Sequence, residues 1–147
     1  MNQNRIANEL LSEVHRNLTV GSNNLGNMLP KVKDKFLMQA ITCQMEQYSA
    51  FTEEAEALMK QEGQKPPKLS AADKLFSRTG AMMNTMFDSS DRHIAHLIAK
   101  GTKTGAETLE STIRSPENTH ASPTVMDLAQ RVTAFERTEA DRMKAFT

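Results

Sequence analysis

Proline stands at only four places in this 147-residue chain: Pro30, Pro66-Pro67, Pro116 and Pro123. Proline lacks the amide donor that a helix interior needs, and its ring clashes with the preceding turn. The stretches between these marks are rich in Ala, Leu, Met, Glu, Gln, Lys and Arg, the strong helix formers. No stretch sustains a period-2 alternation, and no Asn-Gly or Asp-Gly hairpin turn occurs. The prolines therefore punctuate an all-α chain, and the length suits a single helical-bundle domain over 1–147.

Apolar periodicity places the helices. The first is expected over 3–28, where Ala7, Leu11, Val14, Leu18, Gly21, Leu25 and Met28 recur at alternating steps of four and three. That is the seam of an antiparallel bundle. Gly21 lies in the seam, where a missing side chain lets a neighbour come close, and Asn17 and Asn24 flank it one heptad apart. The second helix is expected from just after Pro30 to near Gly63, with Leu37, Ile41, Gln44, Tyr48, Phe51, Ala55 and Leu58 as its seam. Cys43, the single cysteine, lies beside this seam and reads as a buried inert thiol.

Residues 64–70 read as a linker. A single helix over 71–114 would span ~66 Å against ~39 Å for the first helix. Asp88-Ser89-Ser90-Asp91 offers capping residues for a break. The expectation is a short helix over 71–87 and a long one over about 90–114, the latter with Ile94, Leu97, Ile98, Gly101, Gly105, Leu109 and Ile113 on one side. The last helix starts at Ser122-Pro123, an N-cap serine before a proline at the first helical position. Its expected seam is Val125, Leu128, Val132, Phe135, Glu139, Met143 and Phe146. The piece 64–88 is long enough to run the length of a bundle. One such crossover, here carrying a short extra helix between the second and third long helices, makes an antiparallel four-helix bundle ferritin-like.

Charge and cysteine content narrow the function. Lys+Arg and Asp+Glu are 18 each, which argues against a chain built around nucleic acid or an acidic membrane. One cysteine excludes an intrachain disulfide framework and a multi-cysteine zinc site. No apolar signal core follows Met1-Asn2-Gln3-Asn4-Arg5, and no apolar run reaches the ~18–20 residues of a membrane span. These features predict a cytoplasmic protein.

A ferritin-type di-iron site needs Glu-x-x-His pairs, since i and i+3 share a helix face, and none occurs. The remaining metal candidates are His93 and His96, also three apart, with Asp91 and Glu139 as the nearest carboxylate partners. The alternative is one solvated histidine and one packed near the helix start. Glu139 sits among apolar seam positions and must be paired, hydrogen-bonded or protonated there. Asn17, Asn24, Gln44, Tyr48 or a histidine could serve as its partner across the bundle. Gly101-Thr102-Lys103-Thr104-Gly105 lacks the spacing and the preceding strand of a phosphate loop, and reads as a close helix contact. Met82, Met83 and Met86, with Phe76 and Phe87, form a soft stripe suited to core, to a dimer surface or to the wall of an apolar pocket. Lys65, Lys68, Lys74 and Arg78 read as a solvated basic face. No catalytic constellation stands out, and no cofactor is expected.

Two stretches carry a family likeness. One is Gln47-Tyr48, Phe51, Glu54-Ala55-Glu56, Leu58 and then Gly63. The other is Met83-Asn84-Thr85-Met86, Asp88, Ser90, His93-Ile94-Ala95, Ile98, Gly101-Thr102 and Gly105. With Ala121-Ser122-Pro123 and Leu128-Ala129, they make the chain resemble a family of small uncharacterised helical proteins of Gram-positive bacteria. The resemblance implies a ferritin-like bundle and no assigned reaction. It directs attention to Asn84, Asp88, His93 and the glycines. The function expected is that of a binding or structural module, with a homodimer through 71–87 as one form. A degenerate metal or redox bundle and a carrier of a small apolar ligand are the alternatives.

Overall fold

A computed structural model describes residues 2–66, 88–118 and 121–147, with side chains from residue 9 onward. The helix expected over 71–87, with its methionine stripe, the basic cluster from Lys68 onward and Asn84, lies outside the described residues. Among those described there are no strands, and four long helices pack around one apolar core. They are α1 (Asn2–Met28), α2 (Lys35–Gln61), α3 (Asp91–Arg114) and α4 (Pro123–Met143).

Each boundary has a local cause. Pro30 opens a short 3-10 turn, Leu29–Lys31, and Val32 is extended. α2 therefore starts a few residues later than the proline alone suggests. Its N-cap is Asp34, whose carboxylate accepts from the Leu37 amide at 3.1 Å. Gly63, at φ +69°, ends α2 in the left-handed conformation. The Gln64 amide then reaches the Met59 carbonyl at 2.8 Å and the Gly63 amide reaches that of Lys60 at 3.1 Å, the paired bonds of a Schellman motif. Ser90 caps α3 through the His93 amide, and Ser122 caps α4 through the Val125 amide with Pro123 at its first position.

The helix directions follow from specific pairs. Residues 12 and 15 of α1 meet residues 64 and 56 of the second helical segment, so α1 and α2 are antiparallel. Tyr48 meets Glu136 while Glu54 meets Arg131, so α2 and α4 are antiparallel too. The two oxygens of Asp91 accept the backbone amides of Lys33 and Asp34 at 2.8 Å each. One carboxylate thus ties the start of α3 to the start of α2, and these two helices run parallel. They lie diagonally, while α1 against α2 and α3 against α4 form the main packed pairs.

The buried faces depart from the apolar pattern in detail. α2 buries Met59 fully where Leu58 was expected, and Leu58 is half-buried. α3 buries Ala95, Ala99, Thr102 and Ala106 alongside Ile94, Ile98 and Leu109, while Leu97 is half-buried. Gly101 faces solvent, with nothing within 4 Å of a β-carbon built there, so the expected close contact at Gly101 is absent. Small side chains fill much of the face that α3 buries, and they carry little weight in a pattern read from large apolar residues. Cys43 is exposed rather than buried. Gly21 does lie in a close approach: a β-carbon there would stand 3.2 Å from the Tyr48 ring.

The Asp91 clamp joins segments 57 and 58 residues apart through a charge-assisted pair of hydrogen bonds. Asp91→Ala is expected to lower the free energy of unfolding by about 1–3 kcal/mol, read as a lower midpoint in urea denaturation with an unchanged slope.

Candidate functional site

Polar side chains from all four helices meet in the middle of the core. Glu136 of α4 is 2% exposed and Gln44 of α2 is 1% exposed. The Tyr48 hydroxyl donates to Glu136 Oε2 at 2.9 Å. Gln44 Nε2 lies 3.2 Å from the Thr102 hydroxyl and 3.4 Å from that of Tyr48. Asn17 Nδ2 donates to the Gly105 carbonyl at 2.9 Å. Each helix brings its member on its inner face: Asn17 beside the α1 seam, Gln44 and Tyr48 four apart on α2, Thr102 on the face α3 buries.

Gly105 makes room for this cluster. A β-carbon there would fall 2.9 Å from Glu136 Oε2 and 3.4 Å from Asn17 Nδ2. Phe135, half-buried, packs edge-on against Tyr48 and Phe51 with ring centroids 5.6 and 5.5 Å away. Around the cluster, Arg131 pairs with Glu54 and Arg137 with Glu110, which latches α4 to α2 and α3 at the surface.

The cluster has more acceptors than donors. Glu136 Oε1, Gln44 Oε1 and Asn17 Oδ1 are buried and accept no hydrogen bond. No lysine or arginine makes an ion pair with Glu136 among the described residues. Burial pushes the Glu136 carboxyl up to about 8, against the opposing effect of the bonds from Tyr48 and Asn17. Burial, and after it the charge of Glu136, also pushes the Tyr48 phenol up, so it remains a donor.

Glu139 is buried, in agreement with its expected place, but its partner is local. The Arg142 guanidinium lies 3.6 Å from Glu139 Oε1, one turn on along α4. Burial raises its carboxyl and Arg142 opposes that shift. Of the partners anticipated for Glu139, Asn17, Gln44 and Tyr48 gather instead around Glu136, and Asn24 and the described histidines are not in that cluster's hydrogen bonds. The inner stripe of α4 runs Val125, Ala129, Val132, Glu136, Ala140 and Met143, again in steps of three and four. Ala129 and Ala140 conceal that stripe from a reading built on large side chains.

His93 and His96 stack with ring centroids 6.4 Å apart, His93 half-buried and His96 exposed. They line a shallow cleft with Asp88, Ser90, Arg92 and Thr147, and Glu139 is not in its lining. Among the described residues no three His, Cys, Asp or Glu side chains gather as a metal ion would require. A second depression, between α1 and the end of α3, is lined by Glu9, Glu13, Glu117, Asn118 and hydroxyl-bearing residues. His15 is a buried polar residue that the apolar pattern did not single out. It is 5% exposed and bonds Glu56 of α2 at 3.0 Å. Its position one residue after Val14 in the α1 seam is the only sequence signal for it. Comparison with family models, curated proteins and solved structures finds no match to this chain.

The Glu136 carboxyl has an ordinary value near 4.5 and a folded value near 8, so between these the folded state holds a proton that the unfolded state releases. Stability contributed at this position is therefore lost as pH rises through the window, by about 1.4 kcal/mol per unit. Thermal unfolding at pH 5 and pH 8 should show the native chain weakening more than Glu136→Gln, which lacks this group. The glycines give a paired test. Gly101→Ala should stabilise by up to about 1 kcal/mol through helix propensity. Gly105→Ala should destabilise despite the same gain, because Glu136 must leave its place beside Tyr48.

Proposed function

We propose that this chain is a ferritin-like four-helix bundle that works as a non-catalytic structural or binding module in the cytoplasm. The observation that carries the reading is how the core polar groups are used. Their bonds run between helices, from α1 to α3, α2 to α3 and α2 to α4, and so fix helix register. The parallel course of α2 and α3 supports the ferritin-like arrangement, since an up-down-up-down bundle would set its second and third helices antiparallel. The likeness to small helical proteins of Gram-positive bacteria points the same way. Among the described residues no helix is long and apolar enough to cross a membrane. The even charge balance favours protein or small-molecule partners over nucleic acid.

The test is elemental analysis of untagged protein purified without chelators, followed by titration with iron, manganese and zinc. The module reading expects no stoichiometric metal and no change in the unfolding midpoint. One or two equivalents of a transition metal, lost in His93→Ala or Glu139→Gln, would overturn it in favour of a degenerate metal bundle.

A further inference from the structure

The outward face of α2 is unlike the rest of the surface. From Phe36 to Ala50 its exposed positions are Phe36, Gln39, Thr42, Cys43, Glu46, Gln47, Ser49 and Ala50, with one charge among them. Phe36, 73% exposed, is the one large hydrophobic residue exposed among the described residues. Charge returns at the two ends with opposite sign. Lys33 and Lys35 precede this stretch, and Glu53 and Glu56 follow it, all exposed. Lys35 and Glu53 make no ion pair with another described residue, whereas Glu54 and Glu56 are engaged by Arg131 and His15.

That pattern is self-complementary only in the antiparallel sense. We propose that this face of α2 is a homodimer interface, in which two copies cross antiparallel about a two-fold axis near residues 44 and 45. An isologous contact repeats every pairing twice. At 1.5 Å per residue, Lys35 and Glu53 lie nearly equal distances from such an axis and on the same flank of the helix. Lys35 of each copy then meets the partner's Glu53, Gln39 faces the partner's Ala50, and the two Cys43 side chains come together near the axis. A parallel pairing would set lysine on lysine and glutamate on glutamate. The antiparallel one leaves a single like-charge contact, Glu46 against the partner's Glu46, close to the axis and in line with Lys35 and Glu53 on the same face. An interface one helix wide falls at the low end of interface sizes, the range of weak and transient contacts.

Sedimentation equilibrium across the micromolar range tests the interface on the full chain. The native mass should approach twice the 16.4 kDa of one chain. Lys35→Glu and Glu53→Lys should each weaken association about tenfold, as like charges face each other. The double variant, and an equimolar mixture of the two single variants, should recover it, because both restore opposite signs at both contacts. Glu46→Gln should tighten association. A short bismaleimide should join Cys43 to the partner's Cys43 in the native chain and much less in Lys35→Glu. A monomer at every concentration overturns the proposal, as does a dimer indifferent to both charge reversals. A monomer whose Cys43 resists labelling overturns it too, since another segment of the same chain would then cover the face.

Discussion

An acidic side chain at the centre of an apolar core must find a counter-charge, find donors or keep its proton. Glu136 receives a hydrogen bond from Tyr48, has no ion-pair partner among the described residues, and lies beside two further buried acceptor oxygens. Its proton is the cheapest of the three answers, because no positive side chain has to be buried with it. The surrounding packing follows from that group. Gly105 stays bare so that Glu136 fits, Gly21 stays bare so that the Tyr48 ring fits, and Phe135 braces Tyr48 from the side.

The outer architecture depends on a different device. Parallel helices far apart in sequence have no short turn to set their relative height. Asp91 supplies that setting by accepting two consecutive backbone amides just before α2. Surface arginines of α4 hold the other two sides, Arg131 toward α2 and Arg137 toward α3. Register at the core and at the rim is thus determined by different residues, with side-chain hydrogen bonds inside and the Asp91 clamp and arginine ion pairs outside.

Much of the fold could be read from the residues alone. Proline at position 123, serine at 90 and 122 and glycine at 63 mark helix ends by backbone chemistry that needs no tertiary context. The seams of α1 and α2 are legible because leucine, valine and isoleucine recur at regular steps. The faces of α3 and α4 are less so, since alanine and threonine fill many of their buried positions and an apolar pattern barely registers those residues. For the same reason the apolar pattern points to Glu139, flanked by Phe135 and Met143, while Glu136 is the carboxyl around which the core polar groups gather. Periodicity shows which residues share a face. It does not rank two acids one turn apart by which of them meets a tyrosine from another helix.

The chain contains one tyrosine and no tryptophan. Its ultraviolet emission therefore comes from Tyr48, the phenol bonded to Glu136. A phenol that donates to a carboxylate emits differently from one facing a carboxylic acid. The unlabelled protein consequently carries a built-in optical probe at the hydrogen bond on which its core turns, and a change in that light reports from the middle of the molecule.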